Sequence, residues 1–291
     1  AIRERSPDVV IYPNIGNDPM ALKLASLRLA PVQIASWGHP ETTGLPTLDY
    51  FLSSQAMEPP DASQFYTEEL VCLPHLGTYY RPGKIAAVDP QLADLGIDES
   101  LPLLLCPGTP FKYAPRYDRL IVDISRQLGR CQILFFEDPS RRHLTDKLRQ
   151  RFEAALANAG MRMEEHVRFI PWLDRARYRG LMQRADALLD TVGFSGFNVA
   201  MQAVECCLPI VAWDGRFLRG RLASGILKRM DLQPLVARSE DDYVALVVRL
   251  ARDKNYRDHV RAQLLERRNL VFEDNVPIRA MEHFLARAAA K

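Results

Sequence analysis

The sequence predicts an α/β protein built from parallel sheets in two domains. Three observations carry that expectation. Short apolar runs alternate with helical patterns along most of the chain, as parallel βαβ units require. Apolar residues make up 47% and charged residues 25% of the 291 positions, an ordinary soluble globular balance. At roughly 150 residues per domain, the length allows about two domains, and a Pro- and Gly-punctuated stretch from Tyr80 to Ser100 falls where a linker would lie.

The elements follow in order. Val9-Val10-Ile11-Tyr12 reads as a buried strand, Pro13 to Pro19 as a loop and Met20 to Leu29 as a short helix. Val32 to Trp37 is a second strand. It runs into Gly38-His39-Pro40-Glu41-Thr42-Thr43-Gly44, a loop of turn formers and polar side chains. Asp49 to Leu52 and Leu70 to Pro74 complete a first set of strands. Beyond the linker, strand Leu103 to Cys106 precedes a helix at about Pro115 to Leu128. Strand Gln132 to Phe136 precedes a basic helix at about Arg141 to Ala159. Strand Val167 to Ile170 precedes a helix at about Asp174 to Arg184, with Asp174 suited to cap it. Strand Ala187 to Thr191 leads through a glycine-containing turn into a helix ending near Cys206, and strand Pro209 to Trp213 into a helix ending at Met230. A last strand, Gln233 to Ala237, and two helices finish the chain.

Charge and composition narrow the function. Lys plus Arg is 38 and Asp plus Glu 36, a net +2, which lacks the basic excess of a nucleic-acid binder. No apolar run approaches the ~18 residues of a membrane span, and no apolar segment follows the charged start as in a secretory signal. The five cysteines form no C-x-x-C pair and the histidines no metal spacing, so neither a disulfide framework nor a metal site is expected and a cytoplasmic setting fits.

Three loops could carry chemistry. Asp190 to Asn198 joins a strand to a helix through Gly193 and Gly196, a turn that lets backbone N–H groups meet an anion at a helix start. It is neither a Walker sequence nor G-x-G-x-x-G, so NAD is disfavoured; a plain structural turn fits equally. Gly108-Thr109-Pro110-Phe111-Lys112 also ends a strand, in the crevice where open α/β sheets bind ligands, and Lys112 could neutralise a phosphate or simply be solvated. His39, between Gly38 and Pro40, could act as a base or bond to nearby backbone. Among the basic clusters, Arg175 to Arg179 reads mostly as a solvated helix face. Arg216, Arg219 and Arg221 follow a strand and could reach phosphate.

Taken together, these residues resemble glycosyltransferase family 41, which includes the O-GlcNAc transferases and the bacterial cytoplasmic N-glucosyltransferases of adhesins. The likeness runs from about Pro7 to Leu235. It is closest at Asp8 to Gly16, Arg28 to Gln33, Gly38-His39-Pro40-Glu41-Thr42-Thr43-Gly44 and Asp49-Tyr50. The resemblance implies a GT-B fold with two Rossmann-like doubly wound parallel sheets, the N-terminal one incomplete. Residues 1–90 would be the partial acceptor-side domain, 98–275 the nucleotide-sugar domain, and 276–291 a helix packing back on the first domain.

By the same resemblance the donor is a UDP-sugar and the acceptor a protein or peptide, with no metal and no other cofactor. Lys112 would hold the diphosphate and His39 would serve catalysis. Tyr178, Ser195, Gly196, Phe197, Asn198, Gln202, Arg219 and Arg221 would line the nucleotide. The missing N-terminal part of the enzyme would be a further partner. This chain departs from the family at Phe197-Asn198-Val199, where animal members have His-Thr-Thr, and at Gln202, where an Asp holds the ribose hydroxyls. Those departures leave room for a degenerate nucleotide-binding module, or a GT-B enzyme of another class.

Overall fold

The computed structural model describes residues 2–290. The chain divides into two compact units. The first gathers Ala1–Arg81, Arg216–Arg219 and Val271–Lys291; the second holds Pro82–Gly215 and Gly220–Leu270.

In the first unit, strands β1 (Val9–Tyr12), β2 (Val32–Ser36), β3 (Tyr50–Ser54) and β4 (Glu69–Leu73) form a parallel sheet in the order β1-β2-β3-β4. Register pairs Ile34 with Tyr50 and Phe51 with Leu70. Helix α1 (Pro19–Ala25) links the first two strands. Asp18 accepts the Met20 N–H at its start and Pro19 occupies the first turn, where no N–H is needed. This helix is shorter than the expected run to Leu29. The C-terminal helix, Val276–Ala289, lays Phe284 and Ala288 on Ile34 and Leu52, with the Phe284 ring edge-on to Tyr50 at 5.1 Å.

The second unit carries strands β5 (Leu103–Cys106), β6 (Gln132–Phe136), β7 (Val167–Ile170), β8 (Ala187–Leu189), β9 (Ile210–Trp213) and β10 (Val236–Ala237). They pair in parallel in the order β10-β9-β8-β5-β6-β7. Intervening helices are α2 (Asp118–Leu128), α3 (Arg142–Asn158), α4 (Arg175–Arg184), α5 (Phe197–Glu205) and α6 (Leu222–Arg229). Helices α7 (Glu240–Arg252) and α8 (Lys254–Arg267) follow the last strand. The strands read as continuous apolar runs because both faces are covered: Leu104, Leu105, Ile133, Leu134 and Phe135 are buried almost completely. Phe135 anchors a ring cluster with Phe152 at 4.8 Å, Tyr113 at 5.1 Å and Phe169 at 5.5 Å.

Several expectations need correction. The helix expected from Pro115 begins at Asp118, after two 3-10 turns at Pro110–Lys112 and Pro115–Tyr117. Each turn opens on a proline, which cannot donate into a preceding helical turn. The expected strand Gln233 to Ala237 is a 3-10 turn, Gln233–Leu235, followed by the two-residue β10, because Pro234 favours the turn. Three helices, not two, follow it. The segment after Arg81 is no free linker. Val88 donates to the Ala176 carbonyl at 3.1 Å and Leu92 and Ile97 are buried, so residues 82–90 lie in the second unit.

Candidate functional site

The sheet order of the second unit determines where a ligand fits. Strands β5, β6 and β7 advance to one side, and β8 returns to the other side of β5, pairing Leu105 with Leu188. Loops leaving the carboxyl ends of β5 and β8 therefore diverge and open a crevice. It holds a cavity of about 160 Å³ whose walls include Gly108, Thr109, Lys112, Trp172, Asp190 and Val199.

Lys112 ends the 3-10 turn after β5. Its ammonium lies 3.4 Å from the Ser195 carbonyl and 4.4 Å from the centre of the Phe194 ring. Burial lowers its pKa, and the Asp190 charge opposes that shift. Thr109, three residues past the end of β5, has a buried hydroxyl with no hydrogen-bond partner. Trp172, in the loop after β7, is 60% exposed although apolar. These two were not singled out by sequence; Thr109 carried a signal only as part of the Gly108–Lys112 loop.

The turn after β8 is organised from within by Asp190, a buried carboxylate that sequence placed only as the start of a motif. Its Oδ1 accepts the Gly196 N–H at 3.0 Å, and the Ser195 hydroxyl also donates to it. The Tyr243 hydroxyl donates to its carbonyl at 2.9 Å. Burial pushes the carboxyl up to about 6 against the pull of those donors and of Lys112. Gly193 takes φ +87°, a left-handed conformation that costs a side chain strain.

This arrangement revises parts of the expected nucleotide cradle. The Gly196 N–H already serves Asp190. Ser195 is buried, with its Oγ accepting the Ala223 N–H at 2.8 Å, so only its carbonyl faces Lys112. A Cβ at Gly196 would meet nothing nearer than Val199 at 3.4 Å, an ordinary contact, so the backbone does not demand glycine there. Phe197 opens α5, Asn198 is exposed and Gln202 half-buried; Asn198 and Gln202, four apart, share a helix face. Tyr178 lies on α4 with its ring 5.5 Å from Phe136 and a buried, unpartnered hydroxyl, outside the lining of the Lys112 cavity. Arg221 is drawn back onto its own loop, donating to Gly215 at 3.0 Å and lying 3.6 Å from Asp214. Arg179, expected on a solvated face, forms a half-buried ion pair with Glu205.

His39 and Arg219 belong to the first unit. The His39 ring covers the Gly16 backbone so closely that a Cβ at Gly16 would fall 2.2 Å from it. Its Nε2 lies 3.9 Å from Glu41, whose other oxygen accepts from Arg219 at 2.7 Å. Glu68 explains the paired threonines of this loop: its carboxylate accepts both hydroxyls and the Thr43 N–H. A cavity of about 230 Å³ lies beside them, between Pro40, Phe65, Phe217 and Arg219. Among the described residues no group of three or more His, Cys, Asp or Glu could hold a metal, and no helix is long and apolar enough to cross a membrane. All five cysteines are free thiols.

The crevice sets a lysine at one strand end against a helix start at the next, and comparison with known proteins adds a family to that geometry. Residues 153–276 match the model of glycosyl transferase family 41. Over that stretch the chain carries the pattern of this family. It is 30% identical over 274 residues to the Petunia hybrida protein named probable UDP-N-acetylglucosamine–peptide N-acetylglucosaminyltransferase SPINDLY, covering 91% of this chain and 28% of that one. It is 24% identical over 281 residues to the UDP-glucose:protein N-β-glucosyltransferase of Actinobacillus pleuropneumoniae, covering 93% of this chain and 42% of that one. The chain thus spans less than half the length of these curated relatives. An O-GlcNAc transferase mutant from Thermobaculum terrenum superposes with a TM-score of 0.82 at 24% identity, over 99% of this chain and 54% of that one. An Anabaena protein solved with UDP and glucose superposes with a TM-score of 0.61 at 13% identity, over 96% and 78% of the two chains. Both structures carry the GT-B arrangement of two parallel α/β sheets, and this chain shares that fold.

Proposed function

We propose that this chain is the donor-binding and catalytic region of a protein glycosyltransferase, moving a GlcNAc or glucose unit from a UDP-sugar to a side chain of a protein acceptor. One observation supports this reading above the others: a half-buried lysine without an ion-pair partner among the described residues faces the crevice at the strand-order reversal. A diphosphate offers the charge that Lys112 lacks, and the positive end of α5 lies on the same crevice.

In the transfer, the bond from the sugar's anomeric carbon to the diphosphate breaks and a bond to the acceptor atom forms. Negative charge grows on the departing UDP, where Lys112 stabilises it. The acceptor loses a proton, and His39, close to Glu41, is the residue assigned to that end of the reaction. Asn198 and Gln202 supply polar groups for ribose hydroxyls, without the charge of an aspartate. Tyr178 supports the nucleotide region from α4, and Arg219 serves on the acceptor side with Glu41. The reading gives the leaving-group charge to Lys112 and not to a metal, and the free thiols suit the cytoplasm. An N-terminal portion of the enzyme would supply acceptor recognition.

Calorimetric titration with UDP, uridine and a UDP-sugar, followed by a peptide-transfer assay, tests this. UDP should bind far more tightly than uridine. Equal binding of the two would remove the diphosphate site, and UDP binding without hydrolysis or transfer would favour a non-catalytic module.

A further inference from the structure

Asp190 is the one buried carboxylate on the crevice wall, and the reading above leaves it without a task. Hydrogen bonds from the Gly196 N–H, the Ser195 hydroxyl and the Thr191 backbone hold it, and through Ser195 it reaches the Ala223 N–H at the start of α6. The ammonium of Lys112 rests on the Ser195 carbonyl and the Phe194 ring, so its charge reaches Asp190 through space and not by a direct ion pair.

We propose, building on the donor-site reading, that Asp190 is a positioning residue whose carboxylate takes up a proton when the diphosphate of a nucleotide sugar settles beside Lys112. Two effects of the same sign act on this carboxylate. A diphosphate claims the Lys112 charge, which until then favours the ionised carboxylate. It also brings negative charge to the wall on which Asp190 sits, in a setting where water screens little. Both raise the proton affinity of a carboxyl that burial already holds at about 6.

The other titratable groups facing this carboxylate are Lys112 and Tyr113 from the turn after β5 and Tyr243 from α7, with Cys106 of β5 behind the two tyrosines. Burial raises both phenols and the thiol well above their ordinary values, so none of them titrates near neutrality. Once protonated, Asp190 still accepts the Gly196 N–H through one oxygen, so the turn persists while one negative charge leaves the wall.

Linkage sets the sign. Between about pH 6 and the higher value of the complex, binding consumes a proton, so affinity falls as pH rises, by at most about tenfold per unit. Below pH 6 affinity levels off. The experiment is calorimetry of this chain with UDP-glucose and with UDP-N-acetylglucosamine, whose phosphates hold no proton near neutrality, in two buffers of different ionisation enthalpy at pH 7. The wild-type chain should take up a measurable fraction of a proton, and Asp190→Asn should bind with none taken up and a flat pH profile. Binding without uptake in the wild type overturns this inference alone. Uptake that survives in Asp190→Asn but vanishes in Lys112→Met moves the proton to the lysine and overturns it too. No binding at any pH overturns the donor-site reading and this inference with it. Should Asp190→Asn fail to fold, the wild-type proton count and pH slope still decide.

Discussion

The six-stranded sheet of the second unit reverses its strand order between β5 and β8, whereas the four-stranded sheet of the first unit advances from β1 to β4 without a reversal. Both sheets end in loops rich in glycine and hydroxyl residues, yet the loops are used differently. In the first unit the polar groups around the strand ends satisfy one another. Thr42 and Thr43 bond to Glu68, Ser53 and Tyr66 to Glu58, and Arg219 to Glu41. In the second unit the loops part, and polar groups are left over: a lysine facing a carbonyl and a ring, and a buried threonine hydroxyl with no partner. Strand order therefore decides whether similar loop chemistry is spent within the loops or lines a crevice.

The comparison can be broken most forcefully through the cores. Phe135→Ala removes the ring around which Phe152, Phe169 and Tyr113 gather, and should cost about 3–5 kcal/mol in denaturant unfolding. Phe284→Ala, on a helix covering the smaller sheet and 9% exposed, should cost less. A larger loss at Phe284 would show that the first unit, not the second, holds the dominant core.

Next in size is Lys112→Ala, which should weaken UDP binding by about 1–3 kcal/mol, the scale of a charge-assisted contact. Uridine, without phosphates, should lose much less. Equal losses in parallel titrations would mean that Lys112 acts on the fold or the base, and that the crevice in the second unit is not a phosphate site.

Much of this contrast was legible in the sequence. Alternating apolar runs and helical patterns placed every strand of both sheets except the two-residue β10, which was read as a longer strand from Gln233, because a parallel strand buried on both faces leaves a local signature that survives without tertiary context. Lys112 and the Asp190–Asn198 turn stood out as candidates because a strand end followed by glycine and a helix start is also a local pattern. What was hidden is what depends on distant partners. Nothing in Ser195 announces that its hydroxyl is spent on Asp190 and Ala223, twenty-eight residues apart in the second case. Nothing in Arg219 and Arg221 announces that one pairs with Glu41 and the other folds back on Gly215. Prolines at 110, 115 and 234 were visible, but their effect, trading helix or strand for 3-10 turns, needed the backbone path.

Glu68→Gln sharpens the first-unit half of the comparison. Hydrogen bonds from Thr43 and Thr42 hold this carboxyl below its usual value, against the opposing pull of burial. Its folded value being depressed, the stability it contributes is present above the unfolded value, about 4.3, and is lost as pH falls through the folded one. Glutamine keeps one acceptor and loses the charge, so the cost should be about 1–2 kcal/mol at pH 7 and should shrink toward pH 3. Melting curves at the two pH values check this; a cost that does not change with pH would mean the threonines do not depend on the charge.

The smallest effects separate two glycines of one turn. Gly193 adopts φ +87°, where a Cβ crowds the backbone, whereas its nearest neighbour, the Tyr117 ring at 3.4 Å, is only an ordinary contact. Gly193→Ala should therefore cost about 1–2 kcal/mol of stability. Gly196 has φ −115°, its N–H bond to Asp190 is unaffected by a side chain, and the nearest atom to an added Cβ is 3.4 Å away on Val199. Gly196→Ala should hold its melting temperature, because the lost backbone freedom of glycine belongs to the unfolded chain. Position 196 does line the crevice, however, so the same methyl should reduce UDP affinity while leaving uridine nearly unchanged. Paired melting and titration of the two variants tells strain from ligand contact. If Gly196→Ala melts early, the turn needs glycine for its own conformation; if it melts normally and binds UDP normally, the phosphates lie elsewhere on the crevice, nearer Lys112 than the start of α5.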